Sequence, residues 1–141
     1  MISAIFTLIT CTLALQFQNA QSSECLQALG PMNTLSLTSC DVSDSKSTFK
    51  IGNSKQKSGV IKTNVPSYCI DIAPGRDNQT VISLPCQDAQ AWEMVPTAQG
   101  TFTIQQTNFE GVVLCLEPNG SEVDVFTCDP TLPDQFWKFF G

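Results

Sequence analysis

Apolar and polar positions alternate in short runs along this chain, and no stretch after residue 24 keeps a helical period. The runs 60–63, 80–84, 101–104, 111–114 and 123–126 are rich in Val, Ile, Thr and Phe. Gly, Pro, Asn and Asp interrupt them at regular intervals. This pattern predicts many short strands joined by tight turns, as in a sandwich or barrel. The polar stretches 43–47 and 52–59 are expected to be loops.

The strand pattern recurs. Cys25, Cys69 and Cys115 stand 44 and 46 residues apart. Cys40, Cys86 and Cys128 stand 46 and 42 apart, and Phe49, Trp92 and Trp137 stand 43 and 45 apart. Three markers agree on one period, which is the sign of a repeat architecture. Three copies of a nearly all-strand unit predict an all-β chain closed as a three-fold β-trefoil. Within each unit the cysteine pair brackets a hairpin. Pro74–Gln79 forms the turn in the second unit and Pro118–Ser121 in the third, where Asn119-Gly120 is a strong turn signal.

The first residues read differently. Ile2–Phe17 is mostly apolar and uncharged, and polar Gln18–Ser22 follows. That is the pattern of a secretory signal peptide, with cleavage expected after Ala20. A membrane anchor is disfavoured, because a spanning helix needs about 20 apolar residues and no basic residues follow the run. The predicted organisation is a leader at 1–20 and one domain at 21–141. Cys11 leaves with the leader, and six cysteines remain.

An even cysteine set in a secreted chain implies disulfides. Six cysteines allow fifteen pairings, and the repeat selects Cys25–Cys40, Cys69–Cys86 and Cys115–Cys128, one per unit. Each closes a short loop and is expected to contribute about 3 kcal/mol. Zinc is disfavoured, since the chain has no histidine and no C-x-x-C pair. The net charge of −6 argues against nucleic acid and against anionic membrane surfaces as partners.

Hairpin register suggests a site. If Cys115 and Cys128 lie opposite one another, Glu117 faces Phe126. In the second unit the same register sets Asp71 against Leu84. A carboxylate accepts hydrogen bonds from vicinal sugar hydroxyls, and a ring packs against the C–H face of a sugar. Read alone, the same pair is equally a solvated charge above a core ring.

The mature chain resembles the ricin B-type (R-type) lectin family of β-trefoils. The resemblance is carried by the three cysteine hairpins and by Gln90-Ala91-Trp92 and Gln135-Phe136-Trp137. It implies that Trp92 and Trp137, with Phe49 as their counterpart, are structural core residues. It also implies a galactose-type site built from an acid two residues after the first cysteine, an aromatic two before the second, and polar residues at and before the signature Gln. In the third unit those positions hold Glu117, Phe126, Asp134 and Gln135, and Asp124 of the same hairpin joins the candidate set. Glu replaces the family's usual Asp, and Asp134 replaces a usual amide. In the second unit only Asp71 and Gln90 match, which predicts a weaker site. The first unit has Gln27, Thr38 and Ser47 there and reads as structural.

The expected function is that of a secreted, extracellular module that binds glycans or glycoproteins. It needs neither cofactor nor metal. The alternative is a trefoil that has lost sugar binding and acts on a protein partner. The absence of histidine removes His-based triads, and no catalytic motif is present, so an enzyme is not expected. Two N-x-[ST] sequons, at Asn78 and Asn119, fall on hairpin turns where a glycan can reach solvent.

Overall fold

The computed structural model describes residues 14–52, 58–75, 77 and 79–141. Among these the chain forms strands and 3-10 turns, with no α-helix. The strands are β1 (Gln16–Asn19), β2 (Cys25–Ala28), β3 (Leu35–Thr38), β4 (Lys50–Ile51), β5 (Ser58–Gly59), β6 (Ile61–Lys62) and β7 (Tyr68–Ile72). They continue with β8 (Val81–Pro85), β9 (Trp92–Pro96), β10 (Phe102–Thr107), β11 (Val113–Asn119), β12 (Glu122–Thr127) and β13 (Trp137–Phe140). The stretch expected to loop at 43–47 contains the 3-10 turn Ser45–Ser47. The end of the 52–59 stretch is strand β5, and 53–57 lie outside the described residues.

One set of strands closes into a barrel. β1 pairs with β13, β13 with β10, β10 with β9, and β9 with β5. β6 follows β5 and pairs with β4, and Leu15 bridges Phe49 to complete the ring. Closure leaves few open sheet edges.

The other strands form the hairpins β2–β3, β7–β8 and β11–β12. Their second arms meet in pairs, at Ser36 with Glu122, Thr34 with Ile82, and Thr80 with Asp124. The result is a three-cornered cap. The predicted bridges Cys25–Cys40, Cys69–Cys86 and Cys115–Cys128 are formed, and each closes one hairpin.

The core repeats with the sequence. Phe17, Ile61 and Ile104 are fully buried on the first barrel strand of each unit, and Leu26, Ile70 and Leu116 are fully buried beside the first cysteines. Phe49, Trp92 and Trp137 complete the set. The Trp92 indole N–H donates to the Ile70 carbonyl at 3.0 Å, and that of Trp137 to the Leu116 carbonyl at 3.1 Å. Both rings therefore tie a barrel strand to a cap hairpin. Phe49 lacks a donor and packs on Phe17 instead, with ring centroids 5.7 Å apart.

β1 lies inside the segment that reads as a leader. Phe17 is 0% exposed, and Gln16–Asn19 pair along their length with β13. The apolar run of the leader and the core-facing Leu15 and Phe17 are continuous in the sequence, so hydropathy alone does not separate them.

Candidate functional site

The third hairpin carries the candidate site, in a register two residues away from the expected one. Cys115 faces Phe126 and Glu117 faces Asp124. In the second hairpin Cys69 faces Leu84 and Asp71 faces Ile82. The expected pairings of Glu117 with Phe126 and of Asp71 with Leu84 are thus corrected. The cause is that each bridge runs diagonally. Cys128 lies past the end of β12, where its N–H donates to the Val113 carbonyl at 3.0 Å. Its sulfur reaches across to Cys115 with the Cα atoms 5.0 Å apart.

Side chains two residues apart share a face of a strand. Leu116, Val123 and Val125 take the core face, which leaves Glu117, Asp124 and Phe126 together on the other. Asp124 is the direct neighbour of Glu117. Phe126 is one diagonal step away, within the reach of an aromatic side chain. Phe126 is partly exposed and lies outside the core clusters.

Glu117 is half-buried, and its Oε1 accepts from Gln135 Nε2 at 3.1 Å. Among the described residues no protein group donates to its Oε2. Gln135 is 1% exposed. Its Nε2 also donates to the Thr127 carbonyl at 3.1 Å, and its Oε1 accepts from the Asp129 N–H at 2.9 Å. The Gln135 amide is therefore engaged within the protein and aims Glu117. Asp134 is exposed on the 3-10 turn Pro133–Gln135, where Pro at the first position suits the fixed φ. The Asp134 carbonyl accepts from Asn19 Nδ2 at 2.8 Å, so β1 clasps this turn.

Asp124 is 7% exposed and accepts from Asn119 Nδ2 at 2.9 Å. Asn119 itself is exposed at the hairpin turn, beside Gly120, whose φ of +65° suits glycine. Asn78, the other sequon, lies outside the described residues.

The second unit is built differently. Asp71 is 6% exposed and both its oxygens are taken. Oδ1 accepts from Ile72 N–H and Gln106 Nε2, both at 2.8 Å, and Oδ2 accepts from Gln90 N–H at 2.9 Å. Gln90 is exposed, but only its backbone joins Asp71. In the first unit Gln27, Ser36, Asp44 and Ser47 form a hydrogen-bonded cluster around the 3-10 turn.

Gln106 was not among the sequence candidates. It sits two residues after the core position Ile104, where Asn19 follows Phe17 and Thr63 follows Ile61, and all three polar side chains are buried. A buried polar residue at one register of each repeat was the available signal.

An open groove of 510 Å³ runs beyond Gln135, between Val95, Pro96 and Thr103 on one side and Asp129 and Pro130 on the other. It does not include Glu117 or Phe126. The Thr131 hydroxyl and N–H hold the Asp129 carboxyl below its ordinary value of 3.8.

No family model matches the chain, and no curated protein matches it. Solved structures do. A designed three-fold symmetric protein, ThreeFoil, is 11% identical with a TM-score of 0.74, over 91% of this chain and 98% of that one. The BEL β-trefoil is 12% identical with a TM-score of 0.68, over 90% and 91%. SeviL, solved bound to asialo-GM1 saccharide, is 14% identical with a TM-score of 0.56, over 90% and 95%. The barrel, the three-cornered cap and these neighbours define the chain as a β-trefoil.

Proposed function

We propose that this trefoil binds a galactose-type or related neutral sugar at one shallow site on the outer face of the third hairpin. The observation that carries the reading is the grouping of Glu117, Asp124 and Phe126 on that face, with Gln135 fixing Glu117 from beneath. Glu117 Oε2 accepts sugar hydroxyls, Phe126 packs on the C–H face, exposed Asp134 supplies the polar rim, and buried Asp124 lies opposite Glu117 as support. Gln135 positions Glu117 and does not itself touch the ligand. Asp71 is committed inside the fold, so the second unit contributes no equivalent site. SeviL, a structural neighbour, was solved with a saccharide bound, which supports the class of ligand.

The function is binding, without a chemical step. A single exposed site of this kind gives a Kd near 1 mM, about −4 kcal/mol. Three disulfides in a small β-fold fit an extracellular protein, and no helix among the described residues is long and apolar enough to cross a membrane. A glycan array probed with the secreted protein tests the reading. Signal on terminal galactose or related neutral sugars, lost in Glu117→Ala, supports it. A blank array with a folded protein transfers the function to a protein partner.

A further inference from the structure

We propose that the leader is removed by hydrolysis of the Ala14–Leu15 bond, so that the secreted chain begins at Leu15 and not at Gln21. This rests on the reading that the apolar N-terminal segment directs secretion. Among the described residues, Leu15 is the first with a backbone contact to the barrel. Its N–H donates to the Phe49 carbonyl, and its carbonyl accepts from the Phe49 N–H, both at 2.8 Å. Ala14 before it is exposed.

Every element between Leu15 and Ala20 is used by the fold. Phe17 is fully buried and packs on Phe49 and Phe139, with centroids 5.7 and 5.6 Å away. Asn19 is 0% exposed. Its Oδ1 accepts from the N–H groups of Gln21 and Ser22, and its Nδ2 holds the Asp134 carbonyl. The Ala20 N–H donates to the Phe136 carbonyl at 2.8 Å. Cleavage after Ala20 would strip β1 from between β13 and Phe49, open the barrel, and release the turn that carries Asp134 and Gln135.

The residues before each bond agree with this choice. Signal peptidases take small side chains at the first and third positions before the cut. Thr12-Leu13-Ala14 provides them, whereas Gln18-Asn19-Ala20 places the long polar Gln18 at the third position. In the reaction, water adds across the amide. Its hydroxyl goes to the Ala14 carbonyl carbon and its proton to the Leu15 nitrogen. The new Leu15 ammonium keeps an N–H for the Phe49 carbonyl, so the bridge survives the cut.

The test is to secrete the full-length chain, with a C-terminal tag, from a eukaryotic host and to read its N-terminus by intact mass and Edman sequencing. The account expects Leu15. Ala14→Tyr should block or displace the cut, and Ala20→Tyr should be processed like the wild type. An N-terminus at Gln21, or a cut that moves in Ala20→Tyr and not in Ala14→Tyr, overturns the assigned bond while leaving the secretion reading intact. A chain that retains Met1 overturns both.

Discussion

Asp71→Ala separates a structural carboxylate from a ligand-binding one. Asp71 occupies the position where the lectin resemblance places a sugar-binding acid, yet its two oxygens take three hydrogen bonds from Ile72, Gln90 and Gln106. Hydrogen bonds to a charged group are worth about 1.5–3 kcal/mol each, and each buried donor left without its acceptor costs about 1–3 kcal/mol, part of which water and relaxation recover. Asp71→Ala, which strips the acceptor from three donors, should therefore lower the unfolding free energy by about 3–5 kcal/mol, read from urea titrations at unchanged slope. The Gln106 amide joins Asp71 across 35 positions of sequence. A double-mutant cycle of Asp71→Ala with Gln106→Ala should show a coupling of about 1–3 kcal/mol. A loss below about 1 kcal/mol for Asp71→Ala, on the scale of an ordinary surface substitution, would refute the argument. So would a variant that stays stable and loses only sugar binding.

Trp137→Ala should destabilise by about 3–5 kcal/mol through the cavity it leaves. Trp137→Phe, which imitates the first unit's Phe49, should cost less, and calorimetry compares the two. Replacing Cys115 and Cys128 by Ser should cost about 2–5 kcal/mol, and non-reducing peptide maps of the wild type should find no bridge between hairpins. Asp77, Asp41 and Asp129 are held below their ordinary value of 3.8 by nearby N–H and hydroxyl donors, backbone donors leading at Asp77 and the Ser43 and Thr131 hydroxyls at the other two. A depressed folded-state pKa contributes stability that is present above the unfolded value and lost as pH falls through the folded one. The urea midpoint should thus drop as pH falls below 3.8, and Asp77→Asn should flatten that drop. A flat acid limb in the wild type would contradict it.

Much of the fold was legible because each unit repeats the same chemistry. Cysteine spacing and the Phe49, Trp92 and Trp137 series identify hairpins and core without any structure, since burial imposes the same residue types three times. The strand register was not legible. The disulfide reaches diagonally past the strand end, and sequence spacing does not reveal which residue Cys128 faces. The committed state of Asp71 was hidden for a related reason. Its partner Gln106 belongs to the next unit, so no local pattern joins them. Gln135, expected at the ligand, has its amide engaged inside the protein by Asp129, Thr127 and Glu117, partners that the local sequence does not reveal. β1 was missed because a core strand and a leader are both apolar.

The most direct measurement of the central claim is a titration of the ¹⁵N-labelled protein with galactose and lactose, followed by NMR. The account predicts saturable shifts with a Kd near 1 mM, grouped at Glu117, Asp124, Phe126 and Asp134, absent in Glu117→Ala and Phe126→Ala and retained in Gln90→Ala. Shifts grouped around Asp71 and Gln90, or no saturable shift with any sugar, would contradict it.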